Sequence, residues 1–209
     1  MTSVLDLAPV IPVVVIGDAA DAVPLARALV AGGLPAIEVT LRTPAAISAI
    51  RAIAAEVPDA VVGAGTVITP DAVSESVTAG ARFLVSPGWT EALLAAMKSS
   101  GVPFLPGVST ASEVLALLER GVTEMKFFPA EAAGGTAYLK SLAGPLPQAR
   151  FCPTGGITAE SAPSYLSLPN VGCVGGTWML PADALASKDW DRVESLAREA
   201  STLRLSSQS

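Results

Sequence analysis

Apolar residues in this chain fall in short runs of about four to eight, and each run gives way to a longer stretch in which they recur every third or fourth position. The runs are rich in Val and Ile and predict strands, and the stretches between them predict helices with one apolar face. After a short amphipathic lead over 4–7, the run over 11–16 is apolar throughout, as expected of a strand buried on both faces. A helix over 19–31 follows and stops at Gly32-Gly33. The next strand is 36–41, after which Thr43 offers an N-cap and Pro44 a first helical residue for a helix reaching Glu56. The same beat places further strands at 60–65, 82–85, 103–105, around Lys126 up to Pro129, at 150–153 and at 171–174. Between and after them come helices at 69–79, 90–99, 111–120, 134–142, 158–166 and 189–203.

Strict alternation of strand and helix, eight of each, with strands apolar on both sides, predicts an α/β fold in which a parallel sheet closes into a (β/α)8 TIM barrel. The competing architecture is an open, doubly wound sheet. Its glycine fingerprint is missing after the first strand, where Ile16-Gly17-Asp18-Ala19 is no GxGxxG. No linker or low-complexity tract interrupts residues 1–209, so one domain is expected, with a polar tail at 206–209 left disordered.

Composition narrows the function. A net charge of −6 without any cluster of Lys or Arg argues against nucleic acid or an anionic membrane as partner. The apolar runs are too short and too broken to span a bilayer, and the first residues lack the pattern of a secretory signal, so a cytoplasmic protein is expected. Cys152 and Cys173 sit in apolar segments without CxxC spacing and read as buried free thiols. Histidine is absent, which removes the commonest general base and zinc ligand and leaves Lys, Glu, Arg and hydroxyl residues for any catalysis. No metal and no cofactor are expected.

One lysine is out of place. Of the four in the chain, Lys98, Lys140 and Lys188 fall at helix ends or in loops, whereas Lys126 sits between Met125 and Phe127 in an apolar strand. Alternation puts Glu124, Lys126 and Phe128 on one face. Lys126 is then either an ordinary edge-strand lysine in water or a desolvated amine able to attack carbonyls at neutral pH. In the barrel, reactive groups belong at the C-terminal ends of strands, where Glu38, Thr40, Arg42, Thr66, Lys126 and Thr154 are the polar candidates. Glu38, Thr40 and Arg42 share a parity. Glu38 and Arg42 could form a private ion pair, but a carboxylate, an ammonium and a guanidinium converging in an apolar interior suit acid–base chemistry on an anionic substrate. Two glycine pairs, Gly155-Gly156 and Gly175-Gly176, follow the last two strands. Backbone N–H groups there can approach an anion closely, at the place where barrel enzymes hold phosphate.

The stretch IEVTLRTPAAISAIRAIAAEVPDAVVGAGTV over 37–67, with SPG at 86–88, PGVST at 106–110, MKFFPAE at 125–131, AGP at 143–145, RFCPTGGI at 150–157 and VGGTWM at 174–179, resembles the 2-keto-3-deoxy-6-phosphogluconate aldolases, also called 4-hydroxy-2-oxoglutarate aldolases. The resemblance covers nearly the whole chain. It implies a class I aldolase of carbohydrate metabolism, a (β/α)8 barrel that is a homotrimer, acting on small 2-keto acid and phosphosugar substrates. By the same resemblance Lys126 forms the Schiff base, Glu38 is the general acid/base and Arg42 contacts the substrate carboxylate. Thr66, Pro87, Phe128 and Thr154 line the site, and Gly155, Gly156, Gly175, Gly176 and Thr177 hold phosphate. Two positions depart from the pattern: relatives often carry a basic residue where this chain has Gly17-Asp18, and often Ser where it has Thr177. A galactonate-specific homologue, a phosphosugar-binding barrel without turnover and a metal-dependent epimerase or aldolase are the alternatives.

Overall fold

A computed structural model describes residues 3–203. The strands among them are β1 (Val10–Val14), β2 (Ala36–Thr40), β3 (Val61–Gly65), β4 (Leu84–Val85), β5 (Phe104–Leu105), β6 (Gly107–Val108), β7 (Glu124–Phe127), β8 (Arg150–Pro153) and β9 (Val174–Gly176). The helices are α1 (Ala22–Ala31), α2 (Ala46–Glu56), α3 (Pro70–Thr78), α4 (Glu91–Ser99), α5 (Ala111–Glu119), α6 (Gly135–Ala143), α7 (Ala162–Leu166), α8 (Ala182–Ser187) and α9 (Trp190–Ser201). The tail at 206–209 lies outside the described residues.

All strand pairs are parallel and fall in two curled sheets, one in the order β5-β4-β3-β2-β1-β9 and one in the order β6-β7-β8. The predicted fifth strand, 103–105, turns out to be the first half of a longer segment split by Pro106. Proline has no N–H to continue the ladder, so the chain changes partner there. Leu105 accepts from Ser86 N on the β4 side, and Pro106 accepts from Lys126 N, 3.0 Å away, on the β7 side. At the other ends of the two sheets, bridges Phe151 to Val171 and Thr154 to Gly175 set β8 beside the approach to β9.

Alternate positions on the strands go to two apolar clusters. Ile11, Ala36, Phe83, Val85, Leu105, Cys152 and Cys173, drawn from both sheets, pack together on the concave side with Val4 and Leu5. Ile37, Val39, Val62, Ala64, Met125 and Phe127 pack outward against helix residues such as Leu25, Leu29, Ile50 and Leu117. Phe127 also stacks on Tyr138 at 5.8 Å and meets Phe151 edge-on at 6.3 Å. Each buried Leu, Ile or Phe contributes about 1.5–3 kcal/mol, so the strands need their apolar residues on both faces to stay in place. Both cysteines are buried thiols.

The lead, a 3-10 turn over Val4–Asp6 capped by Ser3, closes the N-terminal end of the concave cluster. Leu5 is wholly buried there, and Asp6 and Glu124 both reach Arg150, at 2.7 and 3.0 Å. These ion pairs are half exposed and contribute at most about 1 kcal/mol each, so burial of Leu5 is the stronger tether.

Several local expectations change. Thr43 does not cap α2: its hydroxyl donates to the carbonyl of Ile16, 2.5 Å away, and the helix begins at Ala46 without a side-chain cap. The helix expected over 19–31 opens with a 3-10 turn over Ala19–Asp21 because Asp18 accepts from Ala20 N. That expected over 158–166 shortens to α7, since the hydroxyls of Thr158 and Ser161 take each other's backbone N–H and compete with the first helical turn. The last strand is not 171–174 but β9, reaching into Gly175-Gly176. Helix α8 was not expected; six residues are too few to show a helical period. No helix among the described residues is long and apolar enough to cross a membrane.

Candidate active site

Glu38 on β2 and Lys126 on β7 are 88 positions apart in sequence and meet in the interior, Lys126 Nζ lying 3.4 Å from Glu38 Oε1. Both are buried, at 3% and 5% exposure. Their parity follows from the strands: Glu38 is in register with Val13 and Gly63, and Lys126 with Gly107 and Cys152. The edge-strand reading of Lys126 is therefore set aside, as it has a strand on either side. The private Glu38–Arg42 pair is also set aside: β2 ends at Thr40, and Arg42 stands exposed in the following turn. An amine and a carboxyl in contact inside an apolar shell can pass a proton between them and to a third group brought beside them.

The other expected residues distribute around this pair. The Phe128 ring lies 5.1 Å from Lys126 Nζ. It also lines a cavity of about 310 Å³ shared with Arg42, Thr154, Gly155, Gly176 and Thr177, among others. Lys126 and Glu38 are not on the cavity walls, and Phe128 connects the two. Among the described residues Arg42 is the sole cation lining this cavity. Its Nε donates to Thr66 Oγ1 at 3.3 Å, and Thr66 has a left-handed backbone, φ 58, uncommon for a β-branched residue. Pro87 is held by backbone contact: a Cβ on Gly107 would lie 2.7 Å from Gly88 N and nearer still to Pro87. Thr40 is spent on structure, its hydroxyl donating to the Val14 carbonyl at 2.9 Å. A larger cavity of about 470 Å³, against Val4, Val61 and Pro103, contains none of these groups.

The glycine pairs are present for two reasons. Gly155 and Gly156 have φ of 105 and 80, a conformation that side chains disfavour, and their N–H groups have no protein acceptor among the described residues. Gly175 and Gly176 make room for neighbours: a Cβ would lie 2.9 Å from Thr154 Cγ2 at the first and 2.5 Å from Trp178 Cε3 at the second. Beneath the first pair, Glu131 packs on Gly156, its amide donates to Gly155 O, and it accepts from Tyr165 Oη at 2.6 Å. Burial, and then Glu131 as acceptor, push the Tyr165 hydroxyl well above the usual range, so it remains a donor. This support was not foreseen, because nothing in the local pattern pairs residues 131 and 165. At the end of β1, Asp18 caps the turn that follows and Asp21 holds Lys188 at 2.6 Å, so no basic side chain reaches the cavity from there. Among the described residues no group of three or more His, Cys, Asp or Glu is disposed to hold a metal ion.

The sequence profile of KDPG and KHG aldolase matches residues 1–196. The chain belongs to the KDPG and KHG aldolase family. The KHG/KDPG aldolase of Escherichia coli K12 is 54% identical over 198 residues, covering 95% of this chain and 93% of that relative. The KDPG aldolase of Legionella pneumophila, whose crystal structure holds pyruvate as a covalent carbinolamine intermediate, is 49% identical with a TM-score of 0.92, over 94% of this chain and 96% of that one. The corresponding aldolase of Zymomonas mobilis ZM4, solved with 3-phosphoglycerate, is 50% identical with a TM-score of 0.89, over 95% of this chain and 93% of that one. In this chain the Lys126–Glu38 contact and the glycine-lined cavity are joined by Phe128.

Proposed function

We propose that this member of the family is a class I aldolase that reversibly cleaves 2-keto-3-deoxy-6-phosphogluconate to pyruvate and glyceraldehyde 3-phosphate, and acts also on 4-hydroxy-2-oxoglutarate. The observation that carries the proposal is the buried contact between Lys126 and Glu38 beside a cavity lined by unpaired backbone N–H groups. The neutral Lys126 amine attacks the keto carbon, C2, and loss of water from the carbinolamine leaves an iminium. Glu38 takes the proton from the C4 hydroxyl, the C3–C4 bond breaks, and its electron pair enters the iminium to give the pyruvate enamine and the free aldehyde. Glu38 then returns a proton to C3, and water releases pyruvate and restores the amine. Arg42, steadied by Thr66, orients the substrate carboxylate. The Gly155-Gly156 loop and Thr177 hold the phosphate, so the reacting bond lies between two anchors.

We read the two sheets as one closed (β/α)8 barrel and the chain as a single domain; support comes from the shared concave cluster, the continuous segment over 104–108 and the bridge from Thr154 to Gly175. A homotrimer in the cytoplasm is proposed from family membership, and light scattering reads the assembly.

The test is release of pyruvate from the gluconate-derived phosphate, its galactonate epimer and 4-hydroxy-2-oxoglutarate, with borohydride trapping of pyruvate in parallel. Turnover of the first with a trapped adduct is expected. Binding of the phosphosugar with neither cleavage nor adduct would instead make the protein a non-catalytic binder. Activity should survive exhaustive chelation, because the iminium needs no Lewis acid; loss on chelation and recovery with a divalent ion would overturn the scheme. Thr177→Val should raise KM for the phosphorylated substrate roughly ten- to hundred-fold, the effect of one hydrogen bond to a charged group. The same compound without its phosphate should change little, and equal losses on both would remove Thr177 from the phosphate site.

A further inference from the structure

We propose that Gly65 is a positioning residue for the acid/base carboxyl, its missing side chain being the space in which Glu38 is held against Lys126. The inference rests on the role given to Glu38 above. On β3, Gly63 and Gly65 share the concave parity, Gly63 in register with Glu38 and Gly65 with Thr40. The Glu38 side chain leans forward along the strand and lies over Gly65. A Cβ built there would be 2.5 Å from Glu38 Cγ, 2.6 Å from Cδ and nearer still to Oε1, the oxygen that faces Lys126 Nζ. Real Cβ atoms essentially never approach so closely. The backbone is not the obstacle, since Gly65 is outside the positive-φ set and alanine could adopt its conformation.

Retreat in the other direction is blocked. The Phe83 ring fills the space over Gly63, where a Cβ would be 2.5 Å from two ring carbons, and Thr40 is tied to Val14 O. A methyl at Gly65 therefore forces the carboxyl out of its slot while leaving Lys126, on the far strand β7, in place. A displacement of about 1 Å in an acid/base group costs on the order of a hundred-fold in rate.

Gly65→Ala is expected to retain the borohydride-trapped pyruvate adduct on Lys126 in long incubations, while exchange of pyruvate methyl protons with solvent falls roughly a hundred-fold. A general packing defect would lower adduct and exchange together. The E38A/G65A double variant supplies a measure independent of activity: with the carboxyl gone the methyl has room, so it should melt close to E38A even where G65A melts far below wild type or fails to fold. Undiminished exchange in G65A, parallel loss of adduct and exchange, or a G65A melting penalty undiminished in the E38A background overturns the proposal. Glu38→Gln measured alongside separates the two claims: if it keeps full exchange, Glu38 is not the acid/base at all. If it loses exchange while G65A does not, only the role of Gly65 falls.

Discussion

Lys126→Ala is expected to abolish turnover and the borohydride-trapped pyruvate adduct together. The remaining lysines cannot substitute. Lys98 bonds the Arg120 carbonyl at the surface, Lys188 is paired with Asp21, and Lys140 lies exposed on α6. Lys126 is the one lysine that is buried; its apolar surroundings suit a nucleophilic amine, and the carboxyl beside it can exchange protons with it. Mass spectrometry of the trapped wild-type protein should place the adduct on the peptide containing Lys126. An adduct on any of the other three would refute the assignment. Removing the lysine side chain also leaves the Glu38 carboxyl buried without its partner, so part of any fall in melting temperature belongs to that unpaired group rather than to lost packing.

Glu38→Gln should fail in a different way. The amide keeps the size of the carboxyl and a hydrogen-bonding oxygen near Lys126, so the amine remains and pyruvate still forms a slow adduct. What is lost is the group that moves protons. Cleavage and the exchange of pyruvate methyl protons should both fall roughly a hundred- to ten-thousand-fold, the range for removal of a general acid or base. No His is present to take over, and the acids flanking Lys126 in sequence, Glu124 and Glu131, are engaged with Arg150 and Tyr165. Exchange undiminished in Glu38→Gln would mean that another base, such as bound water, carries the protons. Partial unfolding would reduce adduct and exchange in proportion, so it cannot produce the Glu38→Gln result, in which the adduct survives while exchange falls.

Much of this was legible in the sequence because it depends on local periodicity. Val, Ile and Leu in short runs, with glycines and helix caps between them, set out the parallel α/β alternation, and period two along a strand is enough to put Glu38 and Lys126 on the inward side of their strands. Family membership was likewise readable from segments such as MKFFPAE and PTGGI. Other features depend on contacts between residues far apart in the chain, which no local pattern carries. Pro106 moves its segment from one sheet to the other only because β4 and β7 lie on either side of it. Thr43 looks like a helix cap until the end of β1 places a carbonyl 2.5 Å from its hydroxyl. Arg42 has the right parity for the interior but falls beyond the end of β2, so its place at the cavity mouth is set by Thr66 across the turn. Gly65 reads as the end of a strand and Gly176 as part of an anion-holding pair, yet each is also small because a side chain from elsewhere, Glu38 or Trp178, occupies the volume its own would need. Sequence by itself determined which residues are candidates for the chemistry and that Glu38 and Lys126 face inward; packing between strands decided how close they come, because separation inside a filled interior is set by the volumes of neighbours that the chain brings in from a distance.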